Sequence, residues 1–306
     1  IQKDYKKLYV SIMLHIVFLF VKIRTFHSVF FKIISQTYRY NAGNIASINE
    51  IRTILKQIVK LNTDFDNIKK AINEKTKLVT IQRSKGYQTR PSFGVKEIGE
   101  LIAFVKKCKP SVLVMVDNCY GEFVEREEPC ALGADICGGS LIKNPGAGIC
   151  TTGGYVAGKK DLVEKVAQRL TAPGLGSHVG PTLGFNRLIA QGIFRAPATV
   201  AEALKGAVFA SKMFEMAGLN TSPASSEVRG DIVQTIEFND PDKLVKFCQM
   251  IQACSPVDSF VAPEPYAMPG YSDEVVMAAG TFVQGATSEL SCDGPVRAPY
   301  IAYMQG

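Results

Sequence analysis

The chain has 306 residues, 46% of them hydrophobic and 21% charged, which is typical of a globular protein and long enough for one large or two ordinary domains. Its net charge of +7 is uneven, because residues 1–40 contain seven Lys/Arg and one Asp while the remaining chain is nearly balanced. The basic composition therefore gives no support for a nucleic-acid-binding surface on the body of the protein.

The first part of the chain differs in composition from the rest. Residues 8–21 form an uncharged apolar run of 14 residues, shorter than the ~20 residues of a membrane-spanning helix. Three interpretations stay open for this segment: a membrane-associated N-terminus, a helix buried against the body, and a leader foreign to the protein. We treat residues 1–55 as a separate, atypical segment and expect no membrane attachment of the rest.

Eight cysteines are scattered between residues 108 and 292, and no CxxC pair occurs. A chain of this length without a dense cysteine framework is typical of a protein from a reducing compartment. We therefore expect free thiols, a cytoplasmic location and no metal site.

From residue 56 to residue 197, short apolar strands alternate with amphipathic helices. This alternation predicts an α/β domain with a largely parallel sheet flanked by helices. In chain order, the pattern predicts a helix at 64–77, a strand at 78–82, a helix at 94–110, strands at 111–118, 133–143 and 153–158, and a helix at 160–170.

The pattern changes after residue 197 and predicts a smaller α+β domain over residues 198–306. It begins with a long Ala-rich helix that ends at Gly218, a residue type favoured directly after a helix. The elements expected after it are a strand at 231–238, a helix at 240–254, and strands near 257–262, 276–283 and 287–291.

Two polar residues are expected at the carboxyl ends of neighbouring strands, where open α/β sheets bind ligands. Asp117 ends one apolar run, and Lys143 follows another strand 26 residues later. A lysine removed from water loses proton affinity and becomes a nucleophile suited to Schiff-base chemistry, so we expect a lowered pKa for Lys143. Four neighbouring glycines would leave room for a ligand: Gly138, Gly139, Gly146 and Gly148.

Asp117 and Ser140 indicate which kind of ligand Lys143 could bind. A carboxylate at the end of a buried strand needs a partner, and a protonated pyridine nitrogen is one. Ser140, three residues before the lysine, could place a hydroxyl on a phosphate. The three residues together predict a pyridoxal 5'-phosphate site.

Several motifs strengthen this hypothesis, among them "VDNCYGEFVE" (116–125), "GADICGGSLIKNPGAG" (133–148) and "AAGTFVQGATSELSCDGP" (278–295). They resemble the aluminium-resistance, or methionine γ-lyase-like, family of pyridoxal phosphate enzymes, which is similar to the cystathionine β/γ-lyases of fold type I. The resemblance covers about residues 56–306. It implies a fold-type-I large domain with a smaller C-terminal domain.

The resemblance also implies roles for individual residues in the cofactor site. Lys143 would carry the Schiff base, Asp117 would pair with the ring nitrogen and Ser140 would bind the phosphate. Asn118 and Tyr120 would line the cofactor pocket.

A second group would lie at the mouth of the active site. Arg83, Tyr87 and Arg90 are candidate substrate-binding residues in a segment that also contains Ser84, and Arg297 is a further candidate from the C-terminal domain. Guanidinium groups suit bidentate binding of a carboxylate or phosphate. A structural ion pair is the alternative for each arginine.

The activity implied is that of a carbon–sulfur lyase that acts on a sulfur amino acid and assembles as a homodimer or homotetramer. The alternative is a truncated, catalytically impaired family member. It rests on residues 1–55, which show neither the family's Gly-Thr phosphate cradle nor its ring-stacking aromatic residue. Ala147 is a smaller departure, because the family has a third glycine in that turn.

Overall fold

The computed structural model describes residues 17–19, 65–178 and 184–306. Its helices are α1 (Phe65–Ala71), α2 (Val95–Cys108), α3 (Lys160–Leu170), α4 (Asn186–Met216) and α5 (Pro241–Ala253). Its strands are β1 (Val17–Leu19), β2 (Leu78–Gln82), β3 (Leu113–Asp117), β4 (Ile136–Ser140), β5 (Gly154–Gly158), β6 (Asn220–Ser222), β7 (Gln234–Glu237), β8 (Tyr266–Ala267), β9 (Glu274–Ala278), β10 (Ser291–Pro295) and β11 (Ile301–Gln305). Short 3-10 helices cover Pro129–Leu132 and Asn144–Gly146.

The first sheet has the strand order β1-β5-β4-β3-β2. The three strands β2, β3 and β4 are parallel, whereas β5 runs antiparallel to β4 and to β1. The prediction of an α/β fold with parallel strands is therefore confirmed for its centre, and the predicted strand at 153–158 joins in the opposite direction. Apart from β1, the segment 1–55 and its three interpretations lie outside the described residues.

The hydrophobic core around the first sheet follows from the apolar patterns of its strands and helices in the sequence. Strand β3 is buried on both faces, with Val114 and Val116 fully inaccessible, as expected for a central parallel strand. Helix α2 turns one apolar stripe toward the sheet and buries Ile98 and Val105 against it. The helix ends at Cys108, directly before the predicted stop at Pro110.

The second sheet is antiparallel and has the order β6-β7-β11-β10-β9-β8. Helices α4 and α5 pack against it and share its apolar core. Asp240 caps α5, because its Oδ1 accepts hydrogen bonds from the backbone N–H groups of Asp242 and Lys243 at 2.9 and 3.2 Å.

Helix α4 is longer than predicted. It begins at Asn186 and continues through Pro197, so the predicted domain boundary between residues 197 and 198 lies inside a helix. Its first half packs on the 3-10 helix after Lys143 and its second half on β7, so α4 connects the two sheets. A proline removes one intrahelical hydrogen bond but does not end a helix whose flanking turns are held by packing.

The strand predicted near 257–262 is wrong, since this segment consists of turns and bends. Pro256, Pro263 and Pro265 surround it and remove backbone donors that a sheet needs. The strand predicted near 276–283 overlaps β9 in part, whereas the strand predicted near 287–291 shares only Ser291 with β10. The strands β6, β8 and β11 were not predicted. Among the described helices, none is long and apolar enough to cross a membrane.

Asp135 ties several elements of the first sheet together. Its Oδ2 accepts hydrogen bonds from the Lys106 ammonium at 2.6 Å and from the backbone N–H of Val114 at 2.7 Å, and its Oδ1 lies 2.6 Å from Lys159 Nζ. The side chain is 1% exposed. Burial opposes ionisation of Asp135, but the hydrogen bonds from Lys106, Lys159 and Val114 outweigh it and hold its pKa below the usual value.

Asp135→Asn should lower the free energy of unfolding at pH 7 by about 2 kcal/mol, because it removes charge-assisted hydrogen bonds. A depressed carboxyl pKa stabilises the fold above the unfolded-state pKa, and this contribution is lost as the pH falls. The difference between the two proteins should therefore shrink below about pH 4. Urea unfolding across this pH range measures it.

Asp161→Asn is the matched control, since Asp161 pairs with Lys165 on the exposed surface of α3 at 3.9 Å. We expect a change below about 0.5 kcal/mol for it. Equal effects of the two substitutions would contradict the role given to Asp135.

Candidate functional site

The polar residues predicted at the strand ends meet at one edge of the first sheet. Asp117 is the last residue of β3 and lies opposite Gly138 of β4. Ser140 is the last residue of β4, and Lys143 follows it after one turn. Because β3 and β4 are parallel neighbours, their carboxyl ends bring these side chains to a common edge. The predicted positions of Asp117 and Lys143 at neighbouring strand ends are confirmed.

Lys143 lies over the ring of Tyr120, with Nζ 3.9 Å from the ring centroid, in a cation–π contact. Tyr120 holds this position in a left-handed backbone conformation, with φ of 71°. Burial disfavours the charged form of Lys143, but Cys119, Tyr120 and Asp117 favour it more strongly, so its pKa is raised. The expected lowering of this pKa is wrong, because the prediction considered desolvation without the neighbouring groups.

Asn144 fixes the turn that presents Lys143. Its Nδ2 donates to the backbone carbonyls of Tyr120 and Glu122, both at 3.1 Å. Its Oδ1 accepts a hydrogen bond from the Thr287 hydroxyl at 2.7 Å, 143 residues further along the chain. Asn144 therefore connects the lysine turn both to the segment after β3 and to the C-terminal part. The sequence analysis gave it no role.

Asp117 and Ser140 have the chemistry of a cofactor site. Asp117 is 6% exposed, and its Oδ1 accepts a hydrogen bond from the backbone N–H of Cys119 at 3.2 Å. The Ser140 hydroxyl is buried and has no hydrogen-bond partner among the described residues. A buried hydroxyl without a hydrogen-bond partner is unfavourable unless a ligand supplies that partner. The donor set of Lys143, Asp117 and Ser140 fits pyridoxal phosphate.

The glycines near Lys143 have protein neighbours. A Cβ atom on Gly139 would overlap the Glu122 carboxylate and the Tyr155 ring, and one on Gly146 would overlap the Leu141 carbonyl. The interpretation that Gly139 and Gly146 leave room for a ligand is therefore wrong, because the space beside them is filled by side chain and backbone.

Arg83 and Asn118 belong to one buried network. Arg83 is fully buried and contacts Glu125 at 2.6 Å, Glu128 at 3.3 Å and the Asn118 amide oxygen at 2.9 Å. The Asn118 amide nitrogen donates to Glu128 at 2.8 Å and to the Tyr155 hydroxyl at 3.2 Å. These contacts support the alternative of a structural ion pair for Arg83.

Arg90 is also held by the protein. Its guanidinium donates to the carbonyls of Gln82 and Ser84 at 2.8 and 2.7 Å and to that of Pro91 at 2.8 Å. Burial lowers its pKa to about 10. This arginine holds the segment after β2 in place, so its contacts favour a structural role over a ligand clamp.

Tyr87 and Arg297 meet a residue that the sequence analysis missed. The Tyr87 hydroxyl donates to the carboxylate of Asp293 on β10, and the Tyr87 carbonyl accepts from Arg297. Arg297, whose side chain is 46% exposed, also pairs with Asp273 at 2.8 Å. Burial raises the pKa of Asp293 to about 6, opposed by the Tyr87 hydrogen bond and the charge of Lys143. Asp293 thus lies within electrostatic range of Lys143.

Glu122 is a second carboxyl group that sequence reasoning missed. It is 3% exposed, and its Oε1 accepts a hydrogen bond from the Tyr155 hydroxyl at 3.0 Å. Burial raises its pKa to about 8. In the sequence it is one of four glutamates between residues 122 and 128, and no pattern marks it as the buried one.

Fold and site together define a mixed α/β protein with a lysine-centred site at the carboxyl edge of its parallel strands. The chain belongs to the methionine gamma-lyase family, because the model of that family matches residues 31–306. The resemblance that the sequence motifs indicated is confirmed.

Similar proteins agree with this assignment. The Bacillus subtilis protein YnbB, described as uncharacterized, is 52% identical over 243 residues, covering 79% of this chain and 58% of that protein. A Bacillus cereus crystal structure has a TM-score of 0.75 and 54% identity, covering 79% of this chain and 60% of that chain. A carbon-sulfur lyase involved in aluminum resistance from Clostridium novyi NT has a TM-score of 0.73 and 48% identity, covering 79% and 57%. The chain therefore spans less than two thirds of the length of each.

Ala147 is under backbone strain, since its φ of 49° lies in the left-handed region that favours glycine. Ala147→Gly should raise the free energy of unfolding by about 0.5 kcal/mol, after the greater chain entropy of glycine is deducted. Chemical denaturation of the two proteins measures this difference.

Ala201→Gly, at an exposed site inside α4, is the control and should lower stability by about 1 kcal/mol. If Ala147→Gly also lowered stability, the strain assigned to this turn would be absent.

Proposed function

We propose that this protein is a pyridoxal-phosphate-dependent carbon–sulfur lyase acting on a sulfur amino acid. The observation that carries the proposal is the meeting of Lys143, Asp117 and the unpaired hydroxyl of Ser140 at one sheet edge. Membership of the methionine gamma-lyase family and similarity to the carbon-sulfur lyase from Clostridium novyi NT support the reaction class. The alternative of a truncated, impaired family member depends on residues 1–55, and nothing in the described part of the chain or in its relatives favours it.

The cofactor would be held by these three residues in a fold of type I. Lys143 would bind it covalently, Asp117 would keep its ring nitrogen protonated and Ser140 would donate to its phosphate. When bound, the cofactor withdraws electrons from the α-carbon of the substrate and so permits loss of a sulfur leaving group from the β- or γ-carbon. Tyr120 would line the pocket beneath the lysine.

The chain's own contribution is to orient groups and to move protons. Lys143 would act as the base that takes the α-proton, and the Tyr120 ring and Asp117 would stabilise its charged form afterwards. Asn144 keeps this lysine in place through its three hydrogen bonds. The raised pKa of free Lys143 favours the protonated state that follows proton abstraction.

The substrate would bind between Lys143 and the C-terminal sheet. Arg297 is the candidate for the substrate carboxylate, because its side chain is partly exposed beside Tyr87. Asp293 is a positioning residue, since its carboxylate holds the Tyr87 hydroxyl next to the lysine site.

A homodimer or homotetramer in the cytoplasm is part of the same proposal. Phe209 on α4 has an exposed aromatic side chain, 70% accessible, which supplies apolar surface for a second copy. Eight free thiols are compatible with a reducing compartment.

The cofactor assignment can be tested by adding pyridoxal phosphate, reducing with borohydride and mapping the labelled peptide. We expect visible absorbance in the parent protein and a label on Lys143, and neither in Lys143→Ala. Release of thiol, 2-oxo acid and ammonia from methionine and from cystathionine then tests the reaction.

Lys85→Met is the matched control, because Lys85 is 2% exposed and burial lowers its pKa, which makes it the rival nucleophile. This variant should keep the label. A label on Lys85, or none on the parent protein at saturating cofactor, would refute the assignment.

Asp293 predicts an acidic limit to activity. The carboxylate, with its pKa of about 6, should be needed in its ionised form to hold Tyr87, so kcat/KM should fall as the pH drops through about 6. Asp293→Asn should lower kcat/KM about tenfold at pH 8 and remove the fall of kcat/KM at acidic pH, the acidic limb of the pH profile.

Stability gives a second measurement that is independent of activity. A carboxyl with a raised pKa destabilises the fold when it ionises, so Asp293→Asn should gain stability relative to the parent as the pH rises from 4 to 7. Asp242→Asn, on the exposed face of α5, should change neither profile. An unchanged acidic limb in Asp293→Asn would assign that limb to another group.

A further inference from the structure

The fold brings scattered cysteines into two pairs. The Sγ atoms of Cys130 and Cys137 are 3.3 Å apart, within hydrogen-bonding distance, and those of Cys248 and Cys292 are 3.9 Å apart. All four are free thiols. Sequence spacing did not reveal either pair, because the members of one are 44 residues apart and those of the other belong to different elements.

The two pairs differ in access to solvent. Cys130 lies on the 3-10 helix after Glu128 and is half-buried, while Cys137 lies inside β4 and is 4% exposed. Cys248 and Cys292 are 0% and 1% exposed, in the core between α5 and β10. Cys130 is therefore the most exposed of the four residues, whereas both members of the second pair are buried.

The two pairs also differ in reactivity. The hydrogen bond with Cys137 lowers the pKa of Cys130, against the opposing effect of burial. The same hydrogen bond, together with burial, raises the pKa of Cys137 well above the usual value. Burial likewise raises the pKa of Cys292. The thiolate, which is the nucleophile in disulfide exchange, thus forms on the accessible sulfur of the first pair.

We propose that Cys130 and Cys137 are a site of reversible disulfide formation, oxidised by a low-molecular-weight disulfide such as oxidised glutathione. The Cys130 thiolate attacks one sulfur of the reagent, the reagent's S–S bond breaks, and one thiolate leaves. Cys137 gives its proton to the thiolate that left, attacks the Cys130 sulfur and expels the second half of the reagent as a thiolate. The products are one protein disulfide and two molecules of the small thiol. The thiolate that leaves last is protonated by the proton that Cys130 released when it ionised.

The structure shows which sulfur must move. The sulfur atoms have to approach from 3.3 Å to about 2.05 Å. Strand β4 is hydrogen-bonded on both sides, to β3 and β5, whereas Cys130 lies in a single-turn helix. Cys130 therefore moves toward Cys137. Glu128, directly before this helix, contacts Arg83 and Asn118. A shift of the Cys130 helix would therefore also displace Glu128 and its contacts in this buried network.

The test uses the reduced full chain, incubated with oxidised glutathione, quenched by acid, alkylated and mapped by mass spectrometry. We expect a peptide cross-linked between Cys130 and Cys137 to form at least about tenfold faster than one between Cys248 and Cys292. Cys254, which is exposed, should give a stable glutathione adduct and serves as a reference for an unpaired thiol.

Two variants separate the steps. Cys137→Ala should stop at a glutathione adduct on Cys130, and Cys130→Ser should leave Cys137 unmodified. Circular dichroism checks that both variants are folded, and the parent protein alone gives the rate comparison if either is not. A stable adduct on Cys130 of the parent protein without the internal disulfide, or equal rates for the two pairs, would overturn the proposal.

Discussion

The site depends most on the three hydrogen bonds of the Asn144 side chain. They join the turn after β4, the segment after β3 and Thr287 of the C-terminal part. The amide of asparagine donates and accepts at the same time, which suits a position between two carbonyls and a hydroxyl. Aspartate in this position would lose both donors. The direction of the Lys143 side chain thus depends on its neighbour as much as on its own contacts.

Two of the lysines that the structure describes, Lys85 and Lys143, have opposite electrostatic surroundings. Lys85 donates to the backbone carbonyl of Ser222 at 3.1 Å, and burial dominates, so its pKa falls. Lys143 lies on an aromatic ring near Asp117, and its pKa rises. Proton affinity alone would favour Lys85 over Lys143, the lysine proposed to bind the cofactor. Both lysines lie three residues after the carboxyl end of a parallel strand, Lys85 after β2 and Lys143 after β4. Their surroundings distinguish them, because the Lys143 ammonium lies on the Tyr120 ring whereas the Lys85 ammonium donates to Ser222.

Local patterns were sufficient for the parts of the fold that are built from adjacent residues. The strand 78–82, the helix 160–170 and the positions of Asp117 and Lys143 follow from apolar periodicity and chain order. Contacts across the chain were not predictable in this way. Tyr87 and Asp293 are 206 residues apart, and neither position has a pattern that points to the other. For Arg83 the sequence left a ligand and a structural ion pair open, because nothing in it identifies Glu125 and Glu128 as its partners.

Helix α4 has a mechanical consequence for access to Lys143. With 31 residues it extends about 46 Å, from the lysine turn to the C-terminal sheet. Close packing of Gly192 against Gly146 holds its first half to the lysine turn. A hinge motion between the two sheets would therefore have to bend helix α4. Pro197 removes one backbone hydrogen bond from this helix, but the residues beside it are packed, with Ala196 and Val200 0% and 2% exposed, so the helix continues through the proline from one sheet to the other.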